Sequence, residues 1–242
     1  MNGATPNCGF CKRLKVEFKE QTTMSILLQN ELTHLKNRLL TLGTAVEDDL
    51  VQATHAVEAR DTRGAETVIT REPEIDAAEV RLEEECLKLL ALYQPVAMDL
   101  RFIVAILKMN NDLERIADLA VHVAEQALLL AAQPPMPVPA ELPQMAARVR
   151  ANLKQSLDAF VRLDAGQARA VCTADAAVDA LYHQVNHWAM REITGVPAQI
   201  TCLMAFISVA RHLERAGDHA TNIAEDIIYM LQGEIVRHQP LS

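Results

Sequence analysis

From Ile26 to Arg60 apolar residues return every three or four positions: Leu28, Leu32, Leu35, Leu39, Leu42, Val46, Leu50, Ala53 and Val57. That spacing draws one buried stripe along a helix. Asp61 and Gly64 mark its end. Pro73 is predicted to split the next stretch into a short helix and a longer one from about Glu74 to Tyr93. A proline removes an amide donor and crowds the preceding turn, but is tolerated where a helix begins. Pro95 opens a further long helix to about Ala132. Five of the ten prolines then fall between Pro134 and Pro143, which reads as a semi-rigid linker.

After the linker the series starts again. A helix is predicted from Glu141 to Leu163, with a break at Asp164 and Gly166 and a short helix after it. Another runs from near Asp175 to Ile193, Gly195-Val196-Pro197 makes a turn, and a last helix reaches Gln232 with Gly233 as its cap. Two stretches repeat in sequence as well as in order. Asp112 to Ala120 reads DLERIADLA and His212 to Ala220 reads HLERAGDHA, with Ala124-Glu125 and Ala224-Glu225 following each in register. The expectation is an all-α chain of two tandem three-helix bundles related by pseudo-two-fold symmetry, at 24–132 and 141–233, joined by a linker at 133–140. Residues 1–23 are polar and locally basic and are read as a flexible extension, or as upstream of a true start at Met24; 234–242 form a short tail.

Composition narrows the function. Among 242 residues, 32 acids against 23 bases give a formal charge of −9, which argues against a nucleic-acid binder, whose footprint is a basic face. The five cysteines are scattered and odd in number, which suits a reducing compartment rather than a disulfide framework. No apolar run reaches the roughly 18 residues that cross a bilayer, and no signal peptide is evident. A cytoplasmic location is expected.

The repeated segment carries the candidate chemistry. At about 100° per residue, Asp118, His122 and Glu125 fall within about 80° of Glu114, opposite Leu113, Ile116, Ala120 and Val123. In the second copy Glu214, Asp218, Asn222 and Glu225 occupy the same arc. The stripe is predicted to face away from its own bundle core. Like charges one turn apart repel slightly, so helix stability does not require them. Paired carboxylates form an oxygen-rich half-site for Mg²⁺, Mn²⁺, Ca²⁺ or iron. The primary metal candidates are therefore Glu114, Asp118, Glu214 and Asp218, with His122, Glu125, Asn222 and Glu225 as weaker ones. Glu47, Asp48 and Asp49 on the first helix are candidates for the missing ligands.

Other features read as ordinary. Arg115 and Arg215 sit at the edge of each stripe, placed to pair with the carboxylates. Cys8-Gly9-Phe10-Cys11 is a lone CxxC without the second pair that a zinc ribbon needs. His183 and His187, one turn apart, and Trp188 read as interface and packing residues. A ferritin-like di-iron site needs two E-x-x-H motifs, and Glu31-x-x-His34 is the single one present. No nucleophile elbow or nucleotide cradle occurs.

Gln94-Pro95-Val96-Ala97, Asp99-Leu100-Arg101 and Asp112-Leu113-Glu114-Arg115-Ile116-Ala117-Asp118 resemble the first half of the PhoU family. His212 to Ala220 with Asn222-Ile223-Ala224-Glu225 is similar to its second half, and Leu42-Gly43-x-x-Val46-Glu47 to its first helix. Ala117 departs from the usual glycine, which Gly217 keeps, and Asp112 is matched by His212. The resemblance implies a pair of three-helix bundles, often dimeric, and a non-enzymatic negative regulator of phosphate uptake and phosphate-starvation signalling. It implies an adaptor between the ATPase subunit of the phosphate ABC transporter and a sensor histidine kinase, reaching the membrane only through these partners. It also implies metal, of iron, Mn, Mg, Zn or Ca type, at Glu114, Asp118, Glu214 and Asp218. The alternative reading is a metal-dependent enzyme or metal-storage bundle that uses the acidic stripes.

Overall fold

The computed structural model describes residues 9–193 and 199–234, with side chains from residue 26 onward. The described residues form seven helices and no strand: α1 Gly9–Ala59, α2 Thr62–Tyr93, α3 Ala97–Ala131, α4 Glu141–Arg162, α5 Ala165–Ala174, α6 Ala176–Ile193 and α7 Ile200–Gln232. Helices α1, α2 and α3 pack on one another as one bundle, and α4, α5, α6 and α7 as a second. The Leu28-to-Val57 stripe is buried along its whole length.

Two departures from expectation have physical causes. The first helix begins at Gly9 rather than near Met24, and no proline or glycine interrupts it between Phe10 and Met24. Helix α2 runs unbroken through Pro73. Proline inside a helix costs about 3 kcal/mol. Val68 and Ile75, on either side of it, are both buried in the same core, and holding them there outweighs that loss. The corresponding element of the second bundle is the one that divides, at Asp175 between α5 and α6. Cys8, the turn at 195–197 and residues from 235 lie outside the described residues, as does the Cys11 side chain.

The duplication extends to the turns. Arg60 takes left-handed backbone, φ 55°, and Asp61 then caps α2 by accepting from the Gly64 amide at 3.1 Å. Leu163 also has φ 55°, and Asp164 caps α5 through the Gly166 and Gln167 amides at 2.8 and 3.0 Å. A non-glycine residue in this region costs about 1–2 kcal/mol, and the Asp caps return a similar amount. Gly233 closes α7 at φ 75°. Arg60 also ties the linker down, donating to the carbonyls of Ala131 and Gln133.

Helices α3 and α7 make the most extensive pairing in the chain. They run antiparallel. Lys108 Nζ meets Asp226 Oδ1 at 3.0 Å, Asn222 Nδ2 donates to Asp112 Oδ1 at 3.3 Å, and the His122 and His212 rings lie together. These pairs are centred where residue 117 lies opposite residue 217, so the pseudo-two-fold axis passes through the middle of both repeated motifs. A second seam joins α1 to α4. Arg150 Nε donates to Glu47 Oε1 at 3.0 Å, and a Cβ at Gly43 would stand 2.7 Å from a Leu157 methyl carbon. That approach explains a glycine inside a long helix. Phe160 is fully buried and stacks on Phe102 of the other bundle at 5.6 Å.

Candidate metal centre

The acidic stripe of α3 follows from its helical period. Leu113, Ile116, Ala120 and Val123 are buried, which turns Glu114 and Asp118 to the rim of the bundle, where their side chains keep 21% and 29% of their surface. The rim does not face open solvent, as the period alone suggests. It faces α2, and Asp76 of α2 completes a group with Glu114 and Asp118 whose ligand atoms all lie within 4.8 Å of one another. Among the described residues this is the one such group of three or more His, Cys, Asp or Glu side chains.

Two further carboxylates of α2 feel the cluster. Burial, then repulsion from Asp76, Asp118 and Glu125, raises the Glu72 pKa, while His122 opposes the shift. Glu79 is raised by burial and by Glu83 and Asp76. Glu114 is raised by burial first and by Asp118 second, with Arg115 acting the other way. Arg115 lies across the pair: its Nε is 3.3 Å from Glu114 Oε2 and its Nη1 donates to Asp118 Oδ2 at 3.3 Å. Three acids held together with one exposed guanidinium suit a hard cation, which prefers oxygen ligands and removes the mutual repulsion. The donor set fits such an ion.

The second half builds a looser counterpart. Burial and the charges of Asp179, Asp218 and Glu214 lift Asp175 to about 6, with the Thr221 hydroxyl acting the other way. Glu214 and Asp218 are both raised by burial, and both feel Asp179. These acids influence one another without converging as tightly as Asp76, Glu114 and Asp118 do. Of the weaker candidates, Asn222 and Glu225 line a cleft of about 780 Å³ at the α3/α7 junction with Lys108, Asp112, Arg215 and Asp218. There His219 Nδ1 lies 2.8 Å from Asp112 Oδ1. Glu125 and His122 are exposed above the first cluster.

The first-helix acids are not the missing ligands. Glu47 points at α4 and pairs with Arg150, and Asp49 is buried on Arg71 of α2 at 2.7 Å. Asp48 is exposed and outside the cluster. Helix α1 turns its leucine stripe to the core, so positions 47–49 fall on its flanks. Asp76 carried a signal in the sequence. The stretch after the first helix of each half holds its own acidic pair four positions apart, Glu72 with Asp76 on α2 and Asp175 with Asp179 at the start of α6. The remaining singled-out residues do other work. His34 Nδ1 lies 4.0 Å from Glu85, His183 and His187 are exposed, and Trp188 packs edge-on against Phe206. No described helix is long and apolar enough to cross a membrane.

Known proteins share this fold. A family profile described as PhoU domain matches the chain twice, over residues 39–127 and 142–227. The chain is 39% identical over 212 residues to the phosphate-specific transport system accessory protein PhoU homolog of Aquifex aeolicus, covering 88% of this chain and 96% of that one. It superposes on the crystal structure of PhoU from Pseudomonas aeruginosa with a TM-score of 0.82 and 35% identity, over 85% of this chain and 99% of that one. For the phosphate transport system regulatory protein PhoU from Streptococcus pneumoniae the TM-score is 0.78 and the identity 29%, over 86% and 99%. Twin bundles, a duplicated acidic helix at the centre of each and two matches to one domain family place this chain in the PhoU family.

Proposed function

We propose that this protein is a regulatory accessory component of a phosphate transport system, a negative regulator of phosphate uptake and of the phosphate-starvation response. Its action is binding rather than catalysis. Helical faces dock the ATPase subunit of the transporter and a sensor histidine kinase, the chain works as a homodimer on the cytoplasmic side, and the acidic groups hold divalent metal. The names of its relatives support the phosphate assignment. The convergence of Asp76 with Glu114 and Asp118 is the observation that supports metal binding. Glu214 and Asp218, with Asp175 and Asp179, form the second and weaker site.

Deleting the gene tests the regulatory reading. Phosphate-starvation genes should stay switched on in phosphate-rich medium, and normal repression in the deletion strain would refute it. Elemental analysis of Glu114→Gln/Asp118→Asn protein tests the site. Metal should fall at the first site and persist at the second. Metal-dependent turnover of phosphoesters or peroxide by the purified protein would favour the enzyme reading instead.

A further inference from the structure

The first acidic group has a neighbour that its duplicate lacks. Asn110 of α3, one turn before Glu114, is 1% exposed. Its Nδ2 donates twice to Glu79 of α2, to the carboxylate Oε1 at 2.9 Å and to the backbone carbonyl at 3.0 Å. Its Oδ1 is buried with no hydrogen bond. A buried amide with one unpaired end costs about 1–3 kcal/mol, and packing does not require it. In the register that sets Glu214 and Asp218 on Glu114 and Asp118, position 110 falls on Ala210, which is fully buried. In the register that sets Asp175 and Asp179 on Glu72 and Asp76, position 79 falls on Tyr182. We infer that Glu79, held in place by Asn110, is a fourth carboxylate of the first metal centre and makes that centre tighter than the second. This rests on the metal reading of Asp76, Glu114 and Asp118.

Helices α2 and α3 run antiparallel, so Glu79 meets Asn110 one turn along from the place where Asp76 meets Glu114. The charges of Asp76 and Arg115 act on the Glu79 carboxyl, and Glu79 acts on Glu114. Glu79 nevertheless stands outside the three residues whose ligand atoms all lie within 4.8 Å of one another. Its part is therefore to bond the water that a hard cation keeps, rather than to displace it. Such ions give up water reluctantly and hold several molecules of it beside their carboxylates. Outer partners of this kind change metal affinity by about 10- to 100-fold. An unheld glutamate samples several rotamers and loses much of that contact to entropy. The two bonds from Asn110 remove this freedom in advance. Asn110 acts through Glu79 and is a positioning residue. With Tyr182 and Ala210 in the matching places, the second acidic group has neither the carboxylate nor the amide that fixes it.

The test titrates the full chain, stripped with a chelator, with Mn²⁺ by calorimetry, and melts each variant in EDTA alongside. Glu79→Gln and Asn110→Ala should each weaken the first site by about tenfold and leave the second unchanged. The double variant should bind no more weakly than Glu79→Gln alone, because Asn110 works through Glu79. An amide with a structural role only would lower the thermal midpoint in EDTA and leave Mn²⁺ affinity as in wild type; that result for Asn110→Ala overturns the inference. So does a double variant in which the two losses multiply. Glu79 is half-buried at the rim, so its variant decides the question if Asn110→Ala folds poorly. Asp76→Asn separates the two readings. If it weakens Mn²⁺ binding while Glu79→Gln does not, the metal centre stands and this inference falls. If neither variant changes the affinity, the metal reading falls with it.

Discussion

Replacing Asp76 by Asn should move the stability of the metal-free protein and its metal affinity in opposite directions. The ligand oxygens of Asp76, Glu114 and Asp118 lie within 4.8 Å of one another. Two unit charges at that distance repel by about 1 kcal/mol in water and about 3 kcal/mol at an effective dielectric of 20. Asp76 is exposed, so the lower figure governs, and salt reduces it further. Removing its charge relieves two such repulsions. The metal-free protein should gain roughly 1–2 kcal/mol, or a few degrees in thermal midpoint for a chain of this size. With a divalent ion the sign reverses. One carboxylate at about 2.2 Å from a doubly charged ion contributes several kcal/mol even in water, part of which desolvation returns. Affinity should fall at least about tenfold. The assay is a pair of thermal melts, in EDTA and in excess Mn²⁺, with calorimetric titration alongside. A variant that is less stable in EDTA, or that binds Mn²⁺ as tightly as wild type, would refute the metal assignment.

Arg115 would compete with a bound ion for the same oxygens, and exposed pairs of this kind are worth up to about 1 kcal/mol each; Arg115→Gln should therefore tighten Mn²⁺ binding by about three- to tenfold in calorimetry. Asp49 is 2% exposed and its pKa is raised to about 6 from 3.8, burial outweighing the Arg71 pair. The native state thus holds this proton more tightly than the unfolded chain does, and stability is lost as pH rises from about 4 through about 6. Asp49→Asn should match wild type near pH 4 and exceed it by up to about 3 kcal/mol at pH 8 in urea unfolding, with metal content unchanged; an advantage that shrank with rising pH would contradict this. Phe160→Ala removes a fully buried ring stacked across the bundles, and should cost about 3–5 kcal/mol in the same assay.

Much of the candidate site was legible because it is local. Glu114 and Asp118 are one turn apart on any helix, and the buried set Leu113, Ile116, Ala120 and Val123 fixes which way they turn. The aspartate caps at 61 and 164 start α2 and α5, and the glycine at 233 stops α7, where the chain chemistry indicated. What escaped was the third carboxylate of the cluster. Asp76 lies on a different helix, and its arrival beside Glu114 depends on how α2 is rotated and slid against α3. Glu47, Asp48 and Asp49 were equally plausible by charge and were excluded by packing alone.

The sequence by itself determined most of the helices, the caps at Asp61, Asp164 and Gly233, the duplication and the arc that the repeated acids share, since these follow from periodicity and from backbone chemistry within a few residues. Only the tertiary structure decided that α2 survives Pro73, that Asp76 joins the cluster and that His122 meets His212. Each of these is settled by burial summed over whole helix faces, which outweighs a local penalty and sets the rotation between helices. No spacing along the chain encodes that rotation.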